Sequence, residues 1–143
     1  SLMFGIQWDL VCKYLEVKGK LGTANINSDS SAWGNYSNVE RTISSDKAKK
    51  GSSWTSITGT KPASSVLLTA GASDDTKKMN IYDFAGNEWE WTLEKTSGSS
   101  RPCALRGGSY DNTGSINPAS YRASNYTTNS YDYVGFRPTL YVN

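Results

Sequence analysis

Trp89, Trp91 and Leu93 alternate with Glu88, Glu90 and Thr92, the clearest period-two segment in a chain of 143 residues. Large apolar side chains alternating with charged ones mark a strand with one buried face, so this segment predicts a sheet with the two tryptophans turned inward. A second regular pattern runs from Phe4 to Val17, where Ile6, Leu10, Tyr14 and Trp8, Val11, Cys12, Leu15 recur at spacings of three and four. That is an amphipathic helix, ended by Gly19, and its apolar face is wide enough to predict full coverage by other elements. Little else is periodic, so a fold built on these residues must be rich in loops.

The length fits a single domain over residues 1–143. Gly22 to Ser65 is dominated by Ser, Thr, Asn, Gly and Lys, with Trp33, Tyr36 and Trp54 spaced as apolar anchors that would pin long loops to the body. Val66–Leu68, Ala104–Arg106 and Gly135–Val142 are further strand candidates, the last demoted toward an edge by Pro138. A formal charge of +2, from 15 basic and 13 acidic residues, gives no footprint for a phosphate backbone, which excludes nucleic acid as the expected partner. Lys47, Lys49 and Lys50 form one local basic run, read as a solvated loop. No stretch approaches the roughly 20 apolar residues of a membrane span, and the first residues lack the layout of a signal peptide. The chain has two cysteines and no histidine, which removes the common zinc sets and the commonest general base. Cys12, among apolar neighbours on the helix, reads as a buried free thiol.

Residues Ser109 to Tyr133 read SYDNTGSINPASYRASNYTTNSYDY, with 19 of 25 positions taken by Ser, Tyr, Asp, Asn and Thr. Binding loops favour this alphabet, because Tyr supplies stiff amphipathic contact area and the small polar residues supply adaptable hydrogen bonds. One tyrosine would ordinarily be packed. Tyr110, Tyr121, Tyr126, Tyr131 and Tyr133 have only Ile116 and Val134 as aliphatic company, too little apolar surface to bury all five. Pro118, Ala119, Arg122 and Ala123 read as framework within the stretch.

Asn80-Ile-Tyr-Asp-Phe-Ala-Gly-Asn-Glu-Trp-Glu-Trp-Thr92, then Arg106-Gly-Gly-Ser-Tyr110, then Gly135-Phe-Arg137 form an ordered triple. The triple resembles the formylglycine-generating-enzyme, or sulfatase-modifying-factor, family, and the resemblance covers about Phe4 to Val142. It implies an α+β, C-type lectin-like fold in which a small twisted antiparallel sheet and one or two helices carry extensive loops. The tryptophans, Arg106 and Arg137 then read as scaffold, the arginines tying loops to carboxylates or carbonyls. Such folds pair an N-terminal strand with the C-terminal one, and here the helix begins almost at once. The expectation is a chain lacking its N-terminal part, with the last strand left as an open edge. Oxidase members of the family use a cysteine pair, after the Gly-Gly-Ser motif, that binds copper. Here Asn112 and Asn117 fall near those positions, and an amide cannot replace a soft thiolate. The iron-dependent sulfoxide-synthase branch uses histidines, which are absent. The resemblance also implies Asn87 and Glu90 as candidate ligands for calcium, weighed against a structural, hydrogen-bonded role for Glu90.

A second resemblance is to the C-type-lectin-fold variable proteins of diversity-generating retroelements, in which the diversified residues lie between an Arg-Gly-Gly motif and a terminal Gly-Phe-Arg. Mutagenesis directed at adenines in Asn codons yields Tyr, Asp, Ser, Thr and Ile, the composition of Ser109 to Tyr133. The implied function is non-enzymatic recognition of a protein or cell-surface receptor, on a phage particle or a bacterial surface, with no cofactor beyond the calcium already considered. The expected contact residues are Ser109, Tyr110, Asp111, Asn112, Asn117, Tyr121, Asn125, Tyr126, Asn129, Tyr131, Asp132 and Tyr133. The alternatives are a carbohydrate-binding module with a glycan partner, and a metal-dependent catalytic relative.

Overall fold

The computed structural model describes residues 1–98, 100–126, 128 and 130–140. Two helices, α1 (Gly5–Val17) and α2 (Gly22–Asn27), precede ten strands. Six strands are two-residue ladders: β1 (Arg41–Thr42) with β4 (Thr60–Lys61), β2 (Lys49–Lys50) with β3 (Thr55–Ser56), and β5 (Lys77–Lys78) with β6 (Ile81–Tyr82). The main sheet is built from β7 (Trp89–Lys95), β8 (Cys103–Arg106), β9 (Arg122–Asn125) and β10 (Val134–Phe136), in the order β10-β7-β8-β9. This is an α+β arrangement of short ladders around one sheet. The sheet is mixed where an antiparallel one was expected, because β10 runs parallel to β7. With β7, β8 and β9 successively antiparallel, β9 and β10 point the same way. The chain leaving Asn125 at one edge therefore re-enters the sheet at Val134 on the other.

Only part of the α1 face is core. Trp8, Cys12 and Leu15 are buried and Val11 packs beside them, whereas Ile6, Leu10 and Tyr14 are exposed. The wide stripe therefore splits in two, and the half along Ile6, Leu10 and Tyr14 is uncovered. The N-cap residue Phe4 has no side-chain acceptor. Its own N–H donates to Gln7 Oε1 at 2.7 Å, half of a capping box. Trp8 stacks on Phe84 with centroids 4.0 Å apart, and its indole N–H donates to Ala119 O at 2.9 Å, joining helix, central loop and framework turn in one core.

The alternation in β7 is real, with Trp89 buried and Trp91 half-buried as expected, but the alternate face is buried too. Glu90 and Thr92 are buried and Leu93 is exposed, because Glu90 lies opposite Arg106 on the face that meets α1. There Arg106 is paired with Asp9, and Arg122 bonds Asp9 and Glu94 at 3.2 and 2.5 Å. A layer of ion pairs thus separates sheet from helix, and it draws the polar side of β7 inward. Trp89, Trp91, Val134 and Phe136 occupy the opposite face, in register across β7 and β10.

Within Gly22–Ser65, Trp33 and Tyr36 are the buried anchors, whereas Trp54 is exposed at the tip of the β2–β3 hairpin. A second, smaller core of Ala48, Ile57, Leu68 and Ala72 supports that hairpin. Val66–Leu68 contributes a single bridge, Lys50 to Leu68. Strand β10 stays at the edge of the sheet, as expected, but the residues after it meet the start of the chain. Leu2 bridges Pro138, Thr139 N–H donates to Ser1 O at 2.8 Å, and Leu93 N–H donates to Met3 O at 2.9 Å. Tyr141 and Val142, expected to close the last strand, lie outside the described residues.

Lys61 is fully buried, and its ammonium donates to Tyr36 O and Val39 O at 2.6 and 2.9 Å. Burial, and then the Arg41 charge, lower its pKa to about 8. A neutral amine keeps both hydrogen bonds and sheds the cost of a buried charge. The folded state therefore binds fewer protons than the unfolded state between pH 8 and the ordinary lysine range near 10.4, so this group adds stability as pH rises. Urea unfolding of the wild type and of Lys61→Met should show the wild type gaining about 1–2 kcal/mol relative to the variant between pH 7.5 and 10. A constant difference would show that Lys61 titrates normally.

Candidate functional site

The surface formed by residues 109–133 rests on a buried polar platform. Arg106, Gly107, Gly108 and Ser109 are all buried. Gly108, at φ 77°, is pressed against its surroundings: a Cβ there would lie 2.6 Å from Asn117 O. Only glycine meets both the positive φ and that approach. Below it, Tyr36 donates its hydroxyl to Gly107 O and Asn117 O at 3.1 and 2.9 Å, which fixes the start and middle of the stretch to one buried ring.

Asn87 is the second support. At φ 62°, a conformation asparagine tolerates better than most residues, its Oδ1 accepts from Leu68 N–H and Asn35 Nδ2 at 3.1 and 2.9 Å, and its Nδ2 donates to Leu68 O at 2.9 Å. Its backbone N–H donates to Asn35 O, and its carbonyl accepts from Tyr110 N–H, both at 2.9 Å. Glu90 is held by Arg137 through two bonds, Nε to Oε2 at 3.0 Å and Nη2 to Oε1 at 2.7 Å. Burial raises the Glu90 pKa against the pull of Arg137. Both candidate calcium ligands are thus taken up in protein contacts, and Glu90 fills the structural role of tying the C-terminal loop to the sheet. Among the described residues no three His, Cys, Asp or Glu side chains gather as a metal set.

The expected contact residues divide into support and surface. Ser109 is fully buried and is corrected to support, its hydroxyl donating to Asp111 Oδ1 and Asn112 Oδ1 at 2.5 and 3.0 Å. Asn112 is also support: Oδ1 accepts from Ser109 N–H, and its carbonyl accepts from Ser37 N–H and Oγ. Asn117 is half-buried over Tyr36. Pro118 and Ala119 are buried, and Arg122 and Ala123 lie in β9, a strand where a turn was expected. Asp111 and Asp132 are exposed, Asn125 is half-buried with Oδ1 accepting from Tyr126 N–H at 2.8 Å, and Asn129 lies outside the described residues.

None of the five tyrosines is buried. Tyr121 and Tyr126 are 42% and 41% exposed, and Tyr110, Tyr131 and Tyr133 are half-buried. Tyr121 meets Trp89 edge to face at 5.9 Å, Tyr131 stacks on Tyr133 at 4.9 Å, and Arg101 lies 5.4 Å over Tyr126. Trp91, Tyr131 and Phe136 line one cavity, so the recrossing loop lies on the sheet face opposite α1. Phe136, 67% exposed, belongs to this surface although it lies beyond the stretch. Its place opposite Trp91 in the β7–β10 register was the signal for it.

Asn87→Ala removes three buried hydrogen bonds, leaves Leu68 and Asn35 groups unpaired and puts a Cβ residue with no compensating side-chain bonds at positive φ. The expected loss is about 3 kcal/mol in denaturant unfolding. Millimolar calcium should leave Tm unchanged, because the Glu90 oxygens are already held; a rise in Tm with calcium would show binding.

Chemically reactive groups are not gathered at this surface. Cys12 is a buried free thiol pushed up to about 12 chiefly by burial, so it stays protonated at neutral pH. Cys103 is free and half-buried on β8. Among the described residues no helix is long and apolar enough to cross a membrane. Comparison with curated proteins and with solved structures returned no match. The model of the sulfatase-modifying factor enzyme 1-like domain matches residues 7–140, a span that takes in the helix, the sheet, the Asn87 clasp and the Arg106–Ser109 platform; the chain belongs to that domain family.

Proposed function

We propose that this chain is a non-enzymatic recognition protein, with residues 109–133 displayed on a C-type lectin-like scaffold and diversified by a retroelement to bind a protein or cell-surface receptor. The observation that carries the reading is the contrast across the Arg106–Ser109 platform: its residues are buried over the hydrogen bonds of Tyr36 and Asn87, and all five tyrosines above it keep exposed surface. A rigid support lets tyrosine rings and small polar groups bind with little loss of freedom. A phage particle or bacterial surface is the setting such a protein serves. Absence of catalysis is supported by Asn112 and Asn117, whose amide or carbonyl groups hold loops together, and by the sealed, protonated Cys12.

Sequencing the DNA around the coding region should reveal a near-copy of the segment for residues 109–133 beside a reverse transcriptase, differing mainly at adenines. Without such a copy the retroelement part of the reading falls. In binding to a receptor selected from surface proteins of the bacterial host, Tyr121→Ala with Tyr126→Ala should weaken affinity by about 10- to 100-fold, as for truncated aromatic hot spots, with little change in Tm. Calcium-dependent signal on a glycan array would instead favour carbohydrate recognition, and tight copper or iron binding would favour a catalytic relative.

A further inference from the structure

A cavity of about 330 Å³ separates the β2–β3 hairpin from the stretch 109–133. Lys50, Ser52 and Thr55 line it from the hairpin, Tyr110 and Asp132 from the stretch, and Val66 from the segment between them. The ammonium of Lys50 and the carboxylate of Asp132 are both exposed and line the same space, yet no ion pair joins them. Charged side chains that share a cleft without closing on one another are free to meet a third party. The hairpin is firmly mounted: Gly51 N–H donates to Leu67 O, Thr69 N–H to Lys49 O and Ile57 N–H to Ala48 O, at 2.9 to 3.1 Å, over the smaller core. At its tip Trp54 stands 44% exposed with φ 52°, a strained backbone state for a bulky residue, of the kind that gathers at functional sites. Across the cleft Tyr110 sits among negative groups, its phenol pushed up first by burial, then by Asp132, Asp111 and Glu88.

The geometry points to a bipolar cleft that captures a carboxylate-bearing peptide segment of a protein partner, the acid meeting Lys50 on the hairpin wall and neighbouring backbone N–H or basic groups meeting Asp132 and Tyr110. This rests on residues 109–133 being the recognition surface, and it adds a second wall to that surface. A uniformly anionic ligand, whether a nucleic acid, a polyanionic glycan or an anionic membrane, would be drawn to Lys50 and repelled by Asp132 and Asp111. A peptide carries acceptor and donor groups within a few ångströms of each other and satisfies both walls. Because Lys50 lies outside the diversified stretch, every variant of the protein would keep the demand for an acidic group, and residues 109–133 would read what stands beside it.

The full chain would be applied to an array of end-blocked hexapeptides in matched sets carrying Glu, Gln or Lys at one central position, at low and moderate salt. Glu peptides should bind at least 5-fold better than their Gln partners, the preference should shrink with salt, and Lys50→Gln should abolish it while thermal unfolding confirms the fold. Absence of any peptide binding, no preference for Glu, or a preference that survives Lys50→Gln would overturn the inference. So would Lys50-dependent sedimentation with phosphatidylserine vesicles in place of peptide binding. If the Lys50-dependent preference appears but the Tyr121→Ala, Tyr126→Ala variant binds as well as wild type, the cleft stands and the recognition role of the wider tyrosine surface falls. If that variant weakens binding that is indifferent to the central acid, the cleft falls and the role stands.

Discussion

The hydrogen bonding of Asn87 is the constraint on which the rest depends. Four segments far apart in sequence, around Asn35, Leu68, Asn87 and Tyr110, converge on this one residue. None of them is a long strand or helix, so none can satisfy its own backbone groups, and a buried backbone group left unpaired costs about as much as a lost hydrogen bond. A side-chain amide offers two donors and an acceptor in a fixed plane and so acts as a piece of ladder where no ladder exists. Gly86 beside it completes the junction. Its N–H donates to Gly107 O at 2.8 Å, and at φ 70° a Cβ would lie 2.3 Å from Asn35 O. The central loop and the platform under the tyrosines are therefore fixed by the same pair of residues.

The same device recurs with charged groups. Arg41, buried, donates to the carbonyls of Gly34, Glu40 and Ser31, and Lys61 does so for Tyr36 and Val39. In a loop-rich chain long cationic side chains supply the donors that helices and sheets would otherwise provide, and they do so without a carboxylate partner in hydrogen-bonding contact. Arg106 and Arg137 differ, since each closes on an acid, Asp9 and Glu90. Losing one partner of such a pair leaves a buried charge, a larger penalty than the pair's net contribution. The outcome is a rigid support under an adaptable surface.

How much of this was legible varies with the physics of each element. The α1 helix, the strand at 89–93, and the scaffold roles of Arg106 and Arg137 could all be read, because periodicity and glycine-flanked arginines report local requirements. The burial of Glu90 and Thr92 on β7 could not. Alternation says that two faces differ, and hydrophobicity then assigns only the tryptophans inward, but Arg106 and Arg122 reach Asp9 across 97 and 113 positions of sequence and bury the face of Glu90 and Thr92 as well. Lys61 in the core and Trp54 on the surface were missed for the same reason, since each breaks the usual preference of its residue type. Ser109 and Asn112 look like contact residues by composition alone, and only their bonds to Asp111, Ser37 and one another mark them as support.

The covering of the tryptophan face follows from the topology. Strands β9 and β10 run the same way at opposite edges of the sheet, so the chain between them has to travel the length of the sheet as well as its width. Helix α1 already occupies one face, which leaves the other for the recrossing segment and its tyrosines. Trp89, under the edge of Tyr121, and Trp91, beside Tyr131, are the apolar floor on which that segment lies. A floor of this kind makes few demands on the sequence above it, because aromatic faces accept rings, aliphatic groups and amide planes at similar cost. Ser109, Asn112, Asn117 and Ala119 are held by specific hydrogen bonds, and Arg122–Asn125 by the β9 ladder and the Arg122 ion pairs, whereas the rings of Tyr121, Tyr126, Tyr131 and Tyr133 meet other rings or a cation. Substitution at Tyr121, Tyr126, Tyr131 or Tyr133 should therefore disturb the fold less than substitution at Ser109, Asn112 or Arg122, which is the division of labour a surface needs if its residues are to change while its scaffold stays.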